Sequence, residues 1–476
     1  MRSDTWNSPS PFPGFPGSTG SPGSTGRNRH PLAALRTKAG YTHGEYAQLI
    51  ATTHAELGFG QMAARREKVS RWEAGRAVPE RTAQLAIAHI HAVPQEEVLR
   101  LDWPDWLHLA NGDTRQLELP WTRAAVPEAI LDAVAGRKQL QQEYLLATGW
   151  AARSLVKNWL DAVSEEVSLA PTVPLRGVVG RVPPADAESA EPGSLLEACT
   201  RLRTLHQFAA RFSASWLAPA TELELRHLAD HFLASPEALH TGREVLVLAA
   251  EGLSVCGFIA RVQGEHVNAQ RYYVAALRCA TAAADPEVAA AVLTMHVGQY
   301  LDLEMHEEAA ELLAAVRELL GRHTNGTTDP ALQALLYAQT ARIHAQRGDD
   351  MGRVRAMAAG RRALSTTSAA GLPILPLRSE TWLSCIDAVS LLDMDQPERA
   401  LRHFDPLFTR QPPGLNLPPV VRAMYLLRAA EAQLTLGDIA GGAESEAKAS
   451  ALLGGVQAAA AERIRGAVRA ARNERR

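Results

Sequence analysis

The sequence predicts an all-α protein, with a small five-helix domain near the N-terminus and a long array of helical hairpins behind it. Three observations carry this. Alanine is abundant, aromatics make up 5% of the chain and β-branched runs are rare, a composition that favours helix. From Pro31 onward, apolar residues recur at helical spacing between capping residues and glycines. Turn signals then return at near-regular intervals through the second half. At 476 residues the chain exceeds one core, and roughly two to four domains are expected.

Residues 1–28, with PSPFPGFPGSTGSPGSTG, are dominated by Pro, Gly and Ser and hold no apolar period; a disordered tail is expected. Residues 29–110 form the first domain. PLAALRTKAG sets Leu32 and Leu35 on one face and stops at Gly40. Thr42 and Glu45 form a T-x-x-E capping box that opens a second helix burying Tyr46, Leu49 and Ile50. After a loop with Gly58 and Gly60 comes REKVSRWEAGRAVP, a basic helix expected over about Ala63–Ala74 and ended by Gly75. A fourth helix carries Leu85, Ile87 and Ile90, a fifth begins near Pro94, and Trp103, Trp106 and Leu107 form a hydrophobic plug.

Residues 111–193 hold helical patches around 127–147 and 150–166, then a Pro/Gly-rich linker at 170–193. Residues 194–476 form the array. Its turns are QGEH (263–266), LEMH (303–306), RGDD (347–350), DMDQ (393–396) and LGDI (436–439), stepping by 40, 44, 46 and 43 residues. Each precedes a run with small residues where helices must approach closely. The turn-then-helix order resembles tetratricopeptide units, with a period longer than their usual ~34 residues, so a tetratricopeptide-like α-solenoid is expected.

The net charge is −3, but residues 27–82 carry ten Lys/Arg against five Asp/Glu, a net of +5, which leaves −8 on the rest. A basic module on an acidic body points to nucleic acid. On the basic helix, Val69 and Trp72 lie three apart and pack inward, while Arg65, Lys68 and Arg71 share another face, with Arg66 and Ser70 beside them. Arginine can bridge guanine O6 and N7 bidentately.

VSRWEAG at 69–75 resembles the V-S-x-W-E-x-G run of the XRE family of phage-repressor-type helix-turn-helix domains; GEYAQLI resembles that family's second helix and LRTKAGYT the end of its first. The resemblance implies a recognition helix whose N-terminal half reaches base edges. Arg65, Arg66 and Lys68 are then the base-reading candidates; Ser70, Arg71, Arg76 and Thr42 suit phosphate. It also implies an ion pair between Glu73 and Arg36, within about 6 Å, that locks the first helix to the third; removing one partner of such a pair costs on the order of 3–5 kcal/mol. One departure from the family is IATTHAELGFGQ, an insertion between Ala47 and Trp72 that lengthens the second helix or its loop.

VPQEEVLRLDWPDWL resembles a V-P-x-E-E-V-x-x-L-x-W-P-x-W-L segment of actinobacterial XRE-type regulators, which continue with a stretch like LELPWT…EYLLATG and a repeat like LSVCGFIARVQGEHVNAQRYYVAALRCA. Over about residues 30–320 the chain is similar to these transcriptional regulators. The expectation is a cytoplasmic regulator that binds double-stranded DNA as a homodimer. Its repeat half dimerises or senses a peptide, small-molecule or protein effector on a concave face. Candidate effector contacts there are Gln299, Tyr300, Gln339 and Arg342, with Arg378, Arg422 and Tyr425; Tyr272 and Tyr273 are expected to pack between repeats. The rival reading is a repeat scaffold with a degenerate helix-turn-helix domain.

Other chemistries find little support. There is no HExxH, Cys/His quartet, Walker loop or G-x-S-x-G, so no metal, cofactor or catalysis is expected. Cys199, Cys256, Cys279 and Cys385 are far apart and read as reduced, buried thiols. No uncharged apolar run approaches the ~18 residues of a membrane span, and the N-terminus lacks a signal-type apolar region.

Overall fold

The computed structural model describes residues 30–91, 93, 95–100, 103–104, 106–107, 119–139, 147, 149–169, 195–208, 214–233, 243–323, 328–365, 379–408, 417–454 and 458–474. The expected tail at 1–28, the linker at 170–193 and Arg378 lie outside these residues. Among the described residues all regular secondary structure is helical, with no strand: the protein is all-α.

The first body contains α1 (Pro31–Lys38), α2 (His43–Glu56), α3 (Arg66–Glu73), α4 (Arg81–Ile90) and α5 (Gln95–Arg100). Pro31 opens α1 at a position needing no backbone donor. The α2 capping box is complete: Thr42 Oγ1 accepts from Glu45 N–H at 3.3 Å and Glu45 Oε2 accepts from Thr42 N–H at 2.8 Å. Leu32, Tyr46, Ile50, Val69, Ile87 and Val98 are fully buried together, each stabilising by roughly 1.5–3 kcal/mol. Trp106 closes this core; its indole N–H donates to Gln84 at 3.3 Å, and Gln84 in turn donates to the Pro79 carbonyl at 2.9 Å.

The basic helix is shorter than its sequence predicts. Arg65 is extended (φ −107°, ψ 118°), so α3 begins at Arg66, and Ala63 and Ala64 belong to the loop. The insertion is divided: its first part extends α2 to Glu56 and the rest forms the loop to Arg65.

The second body contains α6 (Val126–Gln139), α7 (Gly149–Leu169), α8 (Leu195–Phe208) and α9 (Ala214–Leu228). The hairpins follow: α10 (Arg243–Gln263) with α11 (His266–Ala282), α12 (Pro286–Asp302) with α13 (His306–His323), α14 (Pro330–Gln346) with α15 (Asp350–Leu364), α16 (Glu380–Asp393) with α17 (Pro397–Phe408), and α18 (Pro419–Thr435) with α19 (Ile439–Leu453). α20 (Ala459–Glu474) ends the described chain. Each hairpin turn has one residue at positive φ: Gly264, Glu304, Gly348, Asp395 and Gly437. The two backbone bonds of a Schellman motif accompany each, as in Glu304 N–H to Leu301 O (3.1 Å) and Met305 N–H to Tyr300 O (2.9 Å).

The first helices α10, α12, α14, α16 and α18 each pack on the next, and α10 also touches α18, so their inner faces surround a lumen. α6 packs on α11 and α7 on α13. Trp121, Ile130 and Trp159 share one buried cluster with Tyr272, Tyr273 and Tyr300. Arg271 bonds the Asp132 carbonyl and Arg278 lies 4.4 Å over the Trp121 ring. The two hydrophobic cores, Leu32–Leu107 and Trp121–Val468, have no residue in common.

Among the described residues α10 is long and apolar enough to cross a membrane, with a window of mean hydropathy 1.9; 72% of that window is buried inside the fold. Its apolar side chains are covered by α8, α9, α11 and α12.

Candidate functional site

α3 divides by face. Val69 and Trp72 are buried against α1 and α2; Arg65, Arg66, Ser70, Arg71 and Arg76 are exposed, and Lys68 is half-buried. Gly75, at φ +67°, ends the helix, with Gly75 N–H on the Trp72 carbonyl at 3.0 Å and Arg76 N–H on the Arg71 carbonyl at 2.9 Å. A side chain at Gly75 would be strained in this backbone conformation. Arg76 therefore stands just past the helix end.

Arg36 and Glu73 meet in a two-pronged pair. Arg36 Nε donates to Glu73 Oε1 at 2.6 Å and Nη2 to Oε2 at 3.0 Å; Nη1 donates to the Tyr41 carbonyl at 2.7 Å. His43 Nε2 lies 2.9 Å from Glu73 Oε2. This has an electrostatic consequence: one of the two acids on α3 is neutralised on its inner side. The other, Glu67, pairs with its neighbour Arg66 at 3.0 Å with both side chains mostly exposed (66% and 77%), an arrangement worth little in water. Among the described residues no acid lies within 4 Å of Arg65, Lys68, Arg71 or Arg76, and the outward face stays cationic. Thr42 Oγ1 accepts as the α2 cap, and its hydroxyl can still donate.

The insertion leaves this face open. His54 is buried at the end of α2, and its Nδ1 lies 2.9 Å from the Gly60 carbonyl with the Phe59 ring edge-on at 5.5 Å. This folds the loop back toward α2. Residues 57–65 include no acid, and 63–67, 70, 71 and 74–76 are exposed.

In the repeat half the expected effector contacts separate. Gln339, Arg342 and Tyr425 line the lumen, a partly open cavity of about 170 Å³. The other described candidates do not. Gln299 donates to the His266 carbonyl. Tyr300 donates to the Ala147 carbonyl at 2.6 Å and accepts from Gln270 at 2.9 Å. Arg422 donates to the Leu407 carbonyl at 3.0 Å. These three hold backbone segments together. Tyr272 and Tyr273 are buried between helices.

A buried ion cluster crosses one side of the lumen. Asp302 receives Arg261 Nε at 2.6 Å and Arg342 Nη1 at 3.0 Å, with Arg428 at 3.9 Å; Arg342 Nε also reaches Asp393 at 3.2 Å. Burial pushes the Asp302 carboxyl up, but the three guanidiniums outweigh it and hold it far below the usual carboxylate range. Burial prevails at Asp393, which is raised against the pull of Arg342 and Arg428. A Cβ on Gly298 would sit 2.7 Å from Arg261 Nη1, so glycine on α12 makes room for that guanidinium. Opposite, Glu251 is buried, and desolvation raises its carboxyl against nearby His206 and Arg203.

No protein-family model, no curated protein and no solved structure matches this chain. The sequence reading missed Arg261, Asp302, Arg428 and Glu251. Glu251 had a signal, being an isolated acid within VLVLAAEGLSVCGFIA. Asp302 sits one residue before LEMH and is easily taken for part of a turn.

Proposed function

We propose that the chain is a sequence-specific DNA-binding transcriptional regulator that acts in the cytoplasm. In this reading α3 enters the major groove. Arg65, Arg66 and Lys68 meet base edges near its N-terminal end, and Ser70, Arg71, Arg76 and Thr42 meet phosphates. The observation that carries the reading is the outward cationic face of α3, from which the Arg36–Glu73 pair withdraws one of the helix's two acids. Exposure of this face argues against the scaffold reading, which would have it turned into the body.

The hairpin array, read as tetratricopeptide-like, supplies the second function: pairing two copies and sensing an effector in its lumen. A single module of this charge binds DNA weakly, with non-specific dissociation constants of roughly 10⁻⁴–10⁻⁶ M. Two modules on one dimeric body gain by effective concentration, so paired half-sites are expected. Immunoprecipitation of the protein from its host with bound DNA tests the reading. Sites sharing one motif support it; no common motif favours a scaffold.

A further inference from the structure

The lumen is larger than packing defects require. Its 170 Å³ exceeds the ~150 Å³ apolar cavity known to admit benzene. Most of its wall is apolar, including Phe258, Met295, Leu335, Trp382, Val389 and Met424 from all five first helices. Arg261, Asp302, Gln339 and Arg428 accompany Arg342 in its wall, with Glu251 opposite. The Arg342 side chain is 4% exposed; Asp393 and Asp302 occupy Nε and Nη1, while Nη2 is buried without a partner. Gln339, one turn earlier on α14, also lines the lumen with its buried Oε1 unpartnered, and its amide can turn to offer N–H instead.

Three guanidiniums line the lumen (Arg261, Arg342 and Arg428) against the carboxyls of Asp302 and Glu251. Asp393 and Glu431 contact the arginines from behind. An alkylammonium carries no acceptor for Nη2, and a hydrocarbon would likewise leave Nη2 unpaired. We propose that the lumen binds a small apolar molecule bearing one carboxylate, with the carboxylate on Arg342 Nη2 and Gln339 and the apolar body against Trp382, Phe258 and Met295. This deepens the effector-sensing reading, on which it rests, and names the effector's chemistry.

Isothermal titration of the purified full-length chain, without DNA, tests it with three eight-carbon probes: octanoate, 1-octanol and octylammonium. A charge-assisted bond predicts octanoate binding about 10–100-fold tighter than octanol, at one per chain, with no octylammonium binding. Gln339→Leu should weaken octanoate several-fold and leave octanol unchanged. Val389→Trp, which fills the cavity with a bulky apolar side chain, should abolish octanoate binding in a chain that keeps its helical circular dichroism. Absence of octanoate binding at millimolar concentration, equal affinity for octanol, or binding that survives Val389→Trp would overturn the assignment. Should Val389→Trp fail to fold, the three-probe comparison on the unaltered chain decides alone. Octanoate binding that leaves DNA affinity unchanged would refute the sensing role and leave the ligand assignment standing.

Discussion

Replacing Glu73 by Gln tests how α3 is held. The substitution keeps the shape of the side chain and removes its charge, leaving Arg36 at 13% exposure with the Tyr41 carbonyl as its remaining strong acceptor. Breaking a fully buried pair costs about 3–5 kcal/mol. Arg36 retains Tyr41 and partial exposure, and glutamine retains one acceptor, so about 2–3 kcal/mol is expected. In a domain of this size each kcal/mol moves the melting midpoint by about 4–8 °C, or about 8–24 °C in all. Because the two cores share no residue, the loss should be confined to the first body. Calorimetry of the full-length variant should show one transition moving and the other fixed, with amide exchange accelerated across 31–90. Paired with Arg36→Met, the double variant should be less destabilised than the sum of the singles. A midpoint shift below about 2 °C, or equal shifts of both transitions, would refute the reasoning.

Four further outcomes are expected. Arg65→Ala should relax specificity at one base position, at about 1–3 kcal/mol. Arg76→Ala should weaken all duplexes alike and flatten the salt slope by about one; binding titrations over a salt series separate the two. Burial and Arg261 push His296 from 6.5 down to about 3; the unfolded chain therefore takes up this proton first. The stability His296 contributes is full above about pH 6.5 and is lost as pH falls toward 3, by at most about 1.4 kcal/mol per pH unit, a slope that His296→Leu should reduce in urea titrations. Glu304→Gly should raise the stability of the second body by about 0.5–1 kcal/mol, as relief at a positive-φ turn exceeds the entropy cost of glycine.

Helix boundaries with chemical punctuation were legible in the sequence, and those without it were not. α2 announces its start through Thr42 and Glu45, and α3 its end through Gly75. Nothing marks the start of α3: Arg65 makes no side-chain cap, and Ala63 and Ala64 are good helix formers, so periodicity ran too far upstream. The hairpin turns were equally readable, although the positive-φ residue falls on Asp395, one place later in its turn than at the others. The lumen was legible only in part. A buried arginine such as Arg342 and an exposed one such as Arg347 look alike in ARIHAQR; which is buried depends on carboxylates from α12 and α16, dozens of residues away. Tyr300 and Gln299 had suitable types for a lumen, but their hydrogen bonds go to Ala147 and His266. No local pattern shows that residues 121–139 and 149–169 pack onto the array.

The central claim, that α3 reads DNA, is tested most directly by selection from random duplexes. The purified full-length chain is carried through rounds of binding and sequencing beside a chain with Ala at Arg65, Arg66 and Arg71. The account predicts one enriched motif with two half-sites for the unaltered chain and its loss in the variant. No enriched motif, or the same motif recovered by the variant, would contradict it.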